Sequence, residues 1–410
     1  MGDVELSMSR RKMMRWSGAA GVAGIVAAAV DACTTSPPVT TTTTTVLGPT
    51  SSTTTTTIPL ELDANGLLLL PGFTSRIVAR ATEEVGSTGH TYRWYPDGAG
   101  TFPDAEVPGG WYLAVNHETS PGGVTSIRFA PDGSIVGAQS VCDGTTYNCA
   151  GGATPWGTWL SGEEYSGGRL WECDPTGAAA ATPVDALGRF DHEAATVAAD
   201  GRLYLTEDRS NGGFYRFTPD TAGDLSSGTL EVATGTIVTV GPNMSATVVW
   251  SEVPDPTGTI APTRTQVPLT IPFSGGEGID TTGQDVYFTT KYDKKVWRYR
   301  TDTEVVSLYY QGGSGVLDGL DNVMVDEAAQ SVFIAEDDGN QELVLIRSNM
   351  EVLAVARVPD QPWSEITGPC FNPAGDRLYF SSQRAPVGAS GAQVGTTYEV
   401  SGPWDAFLGR

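Results

Sequence analysis

Residues 192–208 read HEAATVAADGRLYLTED. An apolar stretch leads into the turn dipeptide Asp200-Gly201, a second apolar stretch follows around Tyr204, and Glu207 and Asp208 close the unit as an acidic tip. This order is the pattern of two short antiparallel strands joined by a tight turn. It recurs on both sides, as GGWYLAVNHE at 109–118, TPWGTWLSGEE at 154–164, GEGIDTTGQDVYFTTKY at 276–292, DNVMVDEAAQSVFIAEDD at 321–338 and GPCFNPAGDRLYFSSQR at 368–384. Aligned on Tyr112, Trp159, Tyr204, Tyr287, Phe333 and Tyr379, neighbouring copies lie roughly 45 residues apart, with one gap about twice as long, a spacing typical of β-propeller blades. Most copies run on into a third strand, as in FYRFTP at 214–219 and VWRYR at 296–300. A unit of this size cannot bury its own apolar face, so the copies are expected to stack radially around an axis. The predicted fold is therefore all-β: a six-bladed β-propeller with a central channel.

The repeat array makes one large domain the expectation for the 410-residue chain. The N-terminus is read as something else. Ser9 to Met14 form a twin-arginine pattern around Arg10 and Arg11, followed by an Ala-rich apolar run at 19–30 and by Ala32-Cys33. Such a run is short for a membrane span and suits a Tat export signal over residues 1–33, with Cys33 as a candidate lipidated N-terminus. Residues 34–59 are almost wholly Thr, Ser, Pro and Val, a composition that buries no core and is expected to form a tether. The propeller is expected to occupy residues 60–410. The anticipated product is an exported monomer, held in the cell envelope as a periplasmic or outer-surface lipoprotein or else secreted, meeting the membrane only through a lipid anchor.

A formal net charge of -24 argues against nucleic acid and anionic lipid as partners and favours multivalent cations. Apart from Cys33, cysteine is limited to Cys142, Cys149, Cys173 and Cys370, too few for a disulfide scaffold, although Cys142 and Cys173 flank one blade and form a candidate pair. With only His90, His117 and His192 and no paired-histidine spacing, a His-rich zinc site is not expected. No phosphate-binding glycine loop and no nucleophile elbow is present either.

The first strand of a propeller blade runs beside the channel, so equivalent positions in different blades share one axial volume. The alignment puts Thr154, Glu193, Glu277, Asn322 and Pro369 at comparable strand starts. The tips bring in Glu163 and Glu164, Glu207 and Asp208, Lys291, and Glu336 and Asp337. Any single acid among these could be a solvated loop carboxylate or a turn cap. Their recurrence at one repeat position, including Glu at strand starts where β-propensity disfavours it, points to a site. Converging carboxylates must take up protons or bind cations. Oxygen ligands suit calcium or magnesium, while the thiol of Cys149 suits a softer or redox metal.

The segments NCAGGATPWGTWLSGEE (148–164), GRFDHEAA (188–195), GGEGID (275–280), LDGLDNV (317–323) and AEDDG (335–339) resemble, in order, the PhoX-type alkaline phosphatases. The resemblance implies a propeller with iron and calcium at the mouth of its channel, acting on a small phosphorylated substrate. It matches Cys149 to the iron-binding cysteine, and Glu164, Glu193 and Glu277 to metal-binding glutamates. Asp321, Asn322, Glu336 and Asp337 fall within the later acidic motifs. The chain departs from the family where Gly275 and Gly276 replace a basic residue before Glu277, and where Gly162 stands at a position often held by cysteine. Lys291, whose counterparts at other tips are acidic, is the candidate to supply the missing charge to a phosphate. Two rival readings are a calcium-dependent propeller lactonase, which leaves the Cys149 thiol without a task, and a calcium-stabilised surface module without catalysis.

Overall fold

A computed structural model describes residues 54–55, 58–313, 316–388 and 390–410. The expected export signal and most of the expected tether lie outside the described residues. Six antiparallel blades follow one another, with inner strands Pro96–Pro103, Asn148–Ala153, His192–Val197, Gly276–Thr282, Leu320–Asp326 and Ile366–Phe371. Each inner strand packs against the next, and the last packs against the first, so the ring closes around a channel. The residues used to align the repeats all fall on second strands, namely Trp111–His117, Trp159–Glu163, Leu203–Glu207, Asp285–Thr290, Ser331–Glu336 and Arg377–Ser382. The six-bladed propeller is the observed fold.

The local chemistry accounts for the hairpins. In the third blade Ala198 and Arg202 bracket a turn in which Gly201 adopts φ 77°, a conformation that costs glycine little. Apolar residues on the two faces of each blade then meet those of its neighbours. Six buried clusters result, one at each interface between adjacent blades. The richest in aromatic rings joins blades 3 and 4, where Phe214 stacks on Phe288 with centroids 4.6 Å apart.

The long gap in the repeat is an insertion between blades 3 and 4. Its strands Val238–Val240 and Asn243–Thr247 join the outer edge of blade 4, and Val249–Glu252 joins blade 3. Segments preceding blade 1 complete the last two blades: Thr74–Arg80 pairs with Thr396–Ser401 as the outer strand of blade 6, while Leu68–Leu69 and Glu61–Leu62 extend blade 5. Thr54 and Thr55, within the expected tether, pair in parallel with Glu351 and Val352, so strand pairing begins slightly before residue 60. Cys142 and Cys173 lie together in the core between blades 1 and 2, as free thiols rather than a disulfide. Their mutual hydrogen bond lowers the pKa of Cys142 and raises that of Cys173. Among the described residues no helix is long and apolar enough to cross a membrane.

Candidate metal centre

The second residues of the six inner strands are Asp97, Cys149, Glu193, Glu277, Asp321 and Thr367. In blades 1 to 5 this residue sits in a β-bulge, where two inner-strand residues face one on the second strand. A bulge redirects side chains and locally breaks the alternation of faces. In blade 6 the bulge falls one residue later, at Gly368 and Pro369.

The bulges are held by neighbouring blades. Asn116 donates through Nδ2 to the carbonyls of Cys149 and Ala150 at 3.1 and 2.8 Å. Its Oδ1 accepts from Trp159 Nε1 and Ser161 Oγ, both at 2.8 Å. Thr206 Oγ1 donates to the carbonyl of Glu277, and Thr289 Oγ1 to that of Asp321. In each case a second-strand residue opposite one bulge fixes the ring residue of the next blade.

A second set of six follows the second strands immediately: Glu118, Glu164, Asp208, Lys291, Asp337 and Gln383. Together with Glu365, just ahead of the last inner strand, the two sets make four groups whose ligand atoms lie within 4.8 Å of one another. These are Cys149, Glu164 and Glu193; Glu193, Glu277 and Asp321; Asp321, Asp337 and Glu365; and Asp97, Glu118 and Glu365. Cys149 Sγ lies 3.3 Å from Glu193 Oε1 and 3.6 Å from Asp97 Oδ2. Gln383 Nε2 donates to Asp97 and Glu118 at 2.6 and 2.9 Å. Two cationic side chains enter the assembly. Lys291 Nζ contacts Asp337 and lies 3.5 Å from Asp321 and 4.0 Å from Glu277, while Arg384 reaches Glu365 at 3.0 Å and Glu118 at 3.9 Å.

Of the expected ligands, Cys149, Glu164, Glu193, Glu277, Asp321 and Asp337 meet in these groups, and Lys291 stands among them. Asn322 and Glu336 are placed differently. Asn322 donates to Asp321 Oδ1 at 2.8 Å and accepts the Gly368 amide at 2.8 Å, bracing the ring from behind. Glu336 accepts the amides of Asp318 and Glu342 at 2.8 and 2.9 Å, and burial lifts its carboxyl to about 7. Glu163 likewise accepts the amides of Thr146 and Arg169, and Glu207 that of Gly213. The first acid of each paired tip thus secures its hairpin, while two of the second acids, Glu164 and Asp337, join the ligand groups.

The expected strand starts were misplaced at Thr154, Asn322 and Pro369. The ring positions are Cys149, Asp321 and Thr367, because each inner strand begins earlier than its turn suggests and carries an extra residue. Asp97 and Glu365 were missed because the first and last copies were read from too late a starting point, and Glu118, which closes the first copy, was not placed with the other tips. A buried acid two residues into a strand preceding GGWYLAVNHE was the available signal for Asp97. The basic residue absent before Glu277 has little room, since a side chain on Gly275 would start 2.8 Å from the Tyr292 ring. Lys291, next to that tyrosine, is tied to Gly275 by its own backbone amide at 2.8 Å.

The donor set fits metal ions. Hard carboxylates and one thiol converge in these groups, and Asp208 Oδ1, in the second set, is buried with no hydrogen-bond partner. The sequence profile of the family described as Alkaline phosphatase PhoX matches residues 119–171 and 166–295. Over that part of its length, less than half, the chain is similar to the PhoX-type alkaline phosphatases. The profile spans Cys149, Glu164, Glu193, Glu277 and Lys291. A solved structure, Pseudomonas fluorescens PhoX in complex with the transition-state analogue vanadate, superposes with a TM-score of 0.72 at 16% identity, covering 84% of this chain and 97% of that one. That likeness confirms the propeller. Proteins of unknown function from Bacteroides thetaiotaomicron and Dyadobacter fermentans are more distant, each with a TM-score of 0.48. The first is 11% identical, over 80% of this chain and 76% of its own, and the second 9% identical, over 81% and 100%. No curated protein matches the chain in sequence.

Proposed function

We propose that this chain is a PhoX-type exported phosphomonoesterase whose two rings of side chains hold iron and calcium. The observation that carries the reading is the Cys149 thiol grouped with Glu164 and Glu193, since a thiolate among carboxylates is a donor set for a redox metal rather than for calcium alone. Cys149, Glu164 and Glu193 would hold iron, and the groups built on Glu277, Asp321, Asp337, Asp97, Glu118 and Glu365 would hold calcium. When bound, these ions supply Lewis-acid polarisation of phosphate oxygens and neutralise developing negative charge.

The chain's own residues define the rest of the chemistry. Inner-strand bulges fix the carboxylates in place before substrate arrives, so little reorganisation accompanies the reaction. Lys291 and Arg384 bring positive charge to the ring, and a phosphate dianion is attracted to the mouth only where metals and these cations outweigh the carboxylates. A Tat signal over residues 1–33, lipid attachment at Cys33 and a tether that ends near residue 59 would put the domain in the periplasm or on the outer surface, as a monomer. The lactonase reading gives Cys149 no role and is the weaker one.

The test is hydrolysis of a phosphomonoester such as p-nitrophenyl phosphate by protein exported through its own signal. Turnover that is lost on chelation and restored by iron with calcium is expected. Inactivity in protein loaded with both metals would overturn the proposal and favour a calcium-stabilised module.

A further inference from the structure

We propose that the ammonium of Lys291 permanently fills one of the cation places of the ring, so that this chain binds one divalent ion fewer than its carboxylates could hold. The inference rests on the reading of the ring as a metal centre and sharpens it. In the second set of six, Glu118, Glu164, Asp208 and Asp337 are acids and Gln383 is an amide, so Lys291 is the position where an oxygen ligand is replaced by a positive charge. One residue thereby removes a ligand and supplies a cation.

Geometry locates the place it fills. Two of the candidate groups share Asp321, one with Glu193 and Glu277 and the other with Asp337 and Glu365. Lys291 Nζ touches members of both, lying against Asp337, 3.5 Å from Asp321 and 4.0 Å from Glu277. Its side chain is only 9% exposed, and those of Glu277 and Asp321 no more than 1%. A buried ammonium needs several oxygen partners at close range, and a calcium ion needs the same kind of partners at 2.3–2.6 Å. The two cannot occupy one set of carboxylates together. Arg384 serves differently, because its guanidinium reaches Glu118 and Glu365 from one side while stacking over Tyr95 at 5.7 Å.

The experiment compares calcium per chain, by elemental analysis after equilibration in saturating calcium and removal of excess, in wild type, Lys291→Met and Lys291→Gln. The proposal expects both variants to gain one calcium over wild type, and their melting temperatures to rise more on adding calcium than that of wild type. Equal calcium content in all three overturns it. So does failure of both variants to fold in saturating calcium, because an emptied cation place would be refilled. A wild type that binds no metal would refute the metal-centre reading separately, and the Lys291 proposal would still be decided by the difference between variant and wild type.

Discussion

At the tip of blade 5, Glu336 accepts two backbone amides while Asp337, one residue later, meets Lys291. Adjacent acids with the same charge therefore have separate tasks, and the difference lies in which way each side chain leaves the end of the strand. Asp337→Asn is expected to lower the affinity of the ring for calcium with the fold retained, because the Lys291 ammonium would turn to the remaining carboxylates. Glu336→Ala should keep the cations but destabilise the protein, by about 1–3 kcal/mol for each amide left without an acceptor. Elemental analysis and urea unfolding of the two variants separate these outcomes; loss of cations from Glu336→Ala with unchanged stability would reverse the assignment. The sequence showed the pair of acids but not this division, because hydrogen bonds from hairpin amides 6 and 18 residues away leave no mark on a repeat pattern.

Inner strands act as spacers as well as ligand carriers. Gly278 lies within the bulge of blade 4, and a Cβ there would come 2.4 Å from the amide nitrogen of Val323 in blade 5. Gly278→Ala should therefore push two inner strands apart, costing about 1–3 kcal/mol and weakening metal binding at Glu277 and Asp321; thermal unfolding with and without calcium checks both effects. Farther along the same strands a cavity of about 450 Å³ is lined by Asp280, Met324 and Cys370, among others. Asp280 accepts the amides of Val325 and Thr281 at 2.7 and 2.8 Å, and burial raises its carboxyl from 3.8 to about 6. The folded protein thus binds this proton more tightly than the unfolded chain does. Its stabilising contribution is complete below about pH 3.8 and is lost as pH rises through about 6. Melting temperatures measured between about pH 4 and pH 6.5 should fall more steeply for wild type than for Asp280→Asn. Equal slopes would mean that Asp280 does not titrate there. Bulges explain why strand positions were harder to read than strands: one extra residue shifts the face of everything before it.

For the whole molecule, the repeat of apolar stretches and turns was sufficient to read six blades, since every alignment residue lies on a second strand. Closure was not legible. The strand that completes blade 6 precedes blade 1, and the insertion after blade 3 divides its strands between two blades, both consequences of three-dimensional pairing. The same distance in sequence hid Asp97 and Glu365, which the ring brings beside residues 200 or more positions away, as with Asp97 and Gln383. What unites these scales is a radial fold that presents equivalent positions of six blades to one small volume. The claim that this volume is a metal centre built around Cys149 is tested most directly by the iron and calcium content of the purified exported protein and of its Cys149→Ala variant. Iron together with calcium is expected in wild type, with iron lost and calcium largely retained in the variant; wild type without iron, or a variant that keeps all of it, would mean that Cys149 holds no metal.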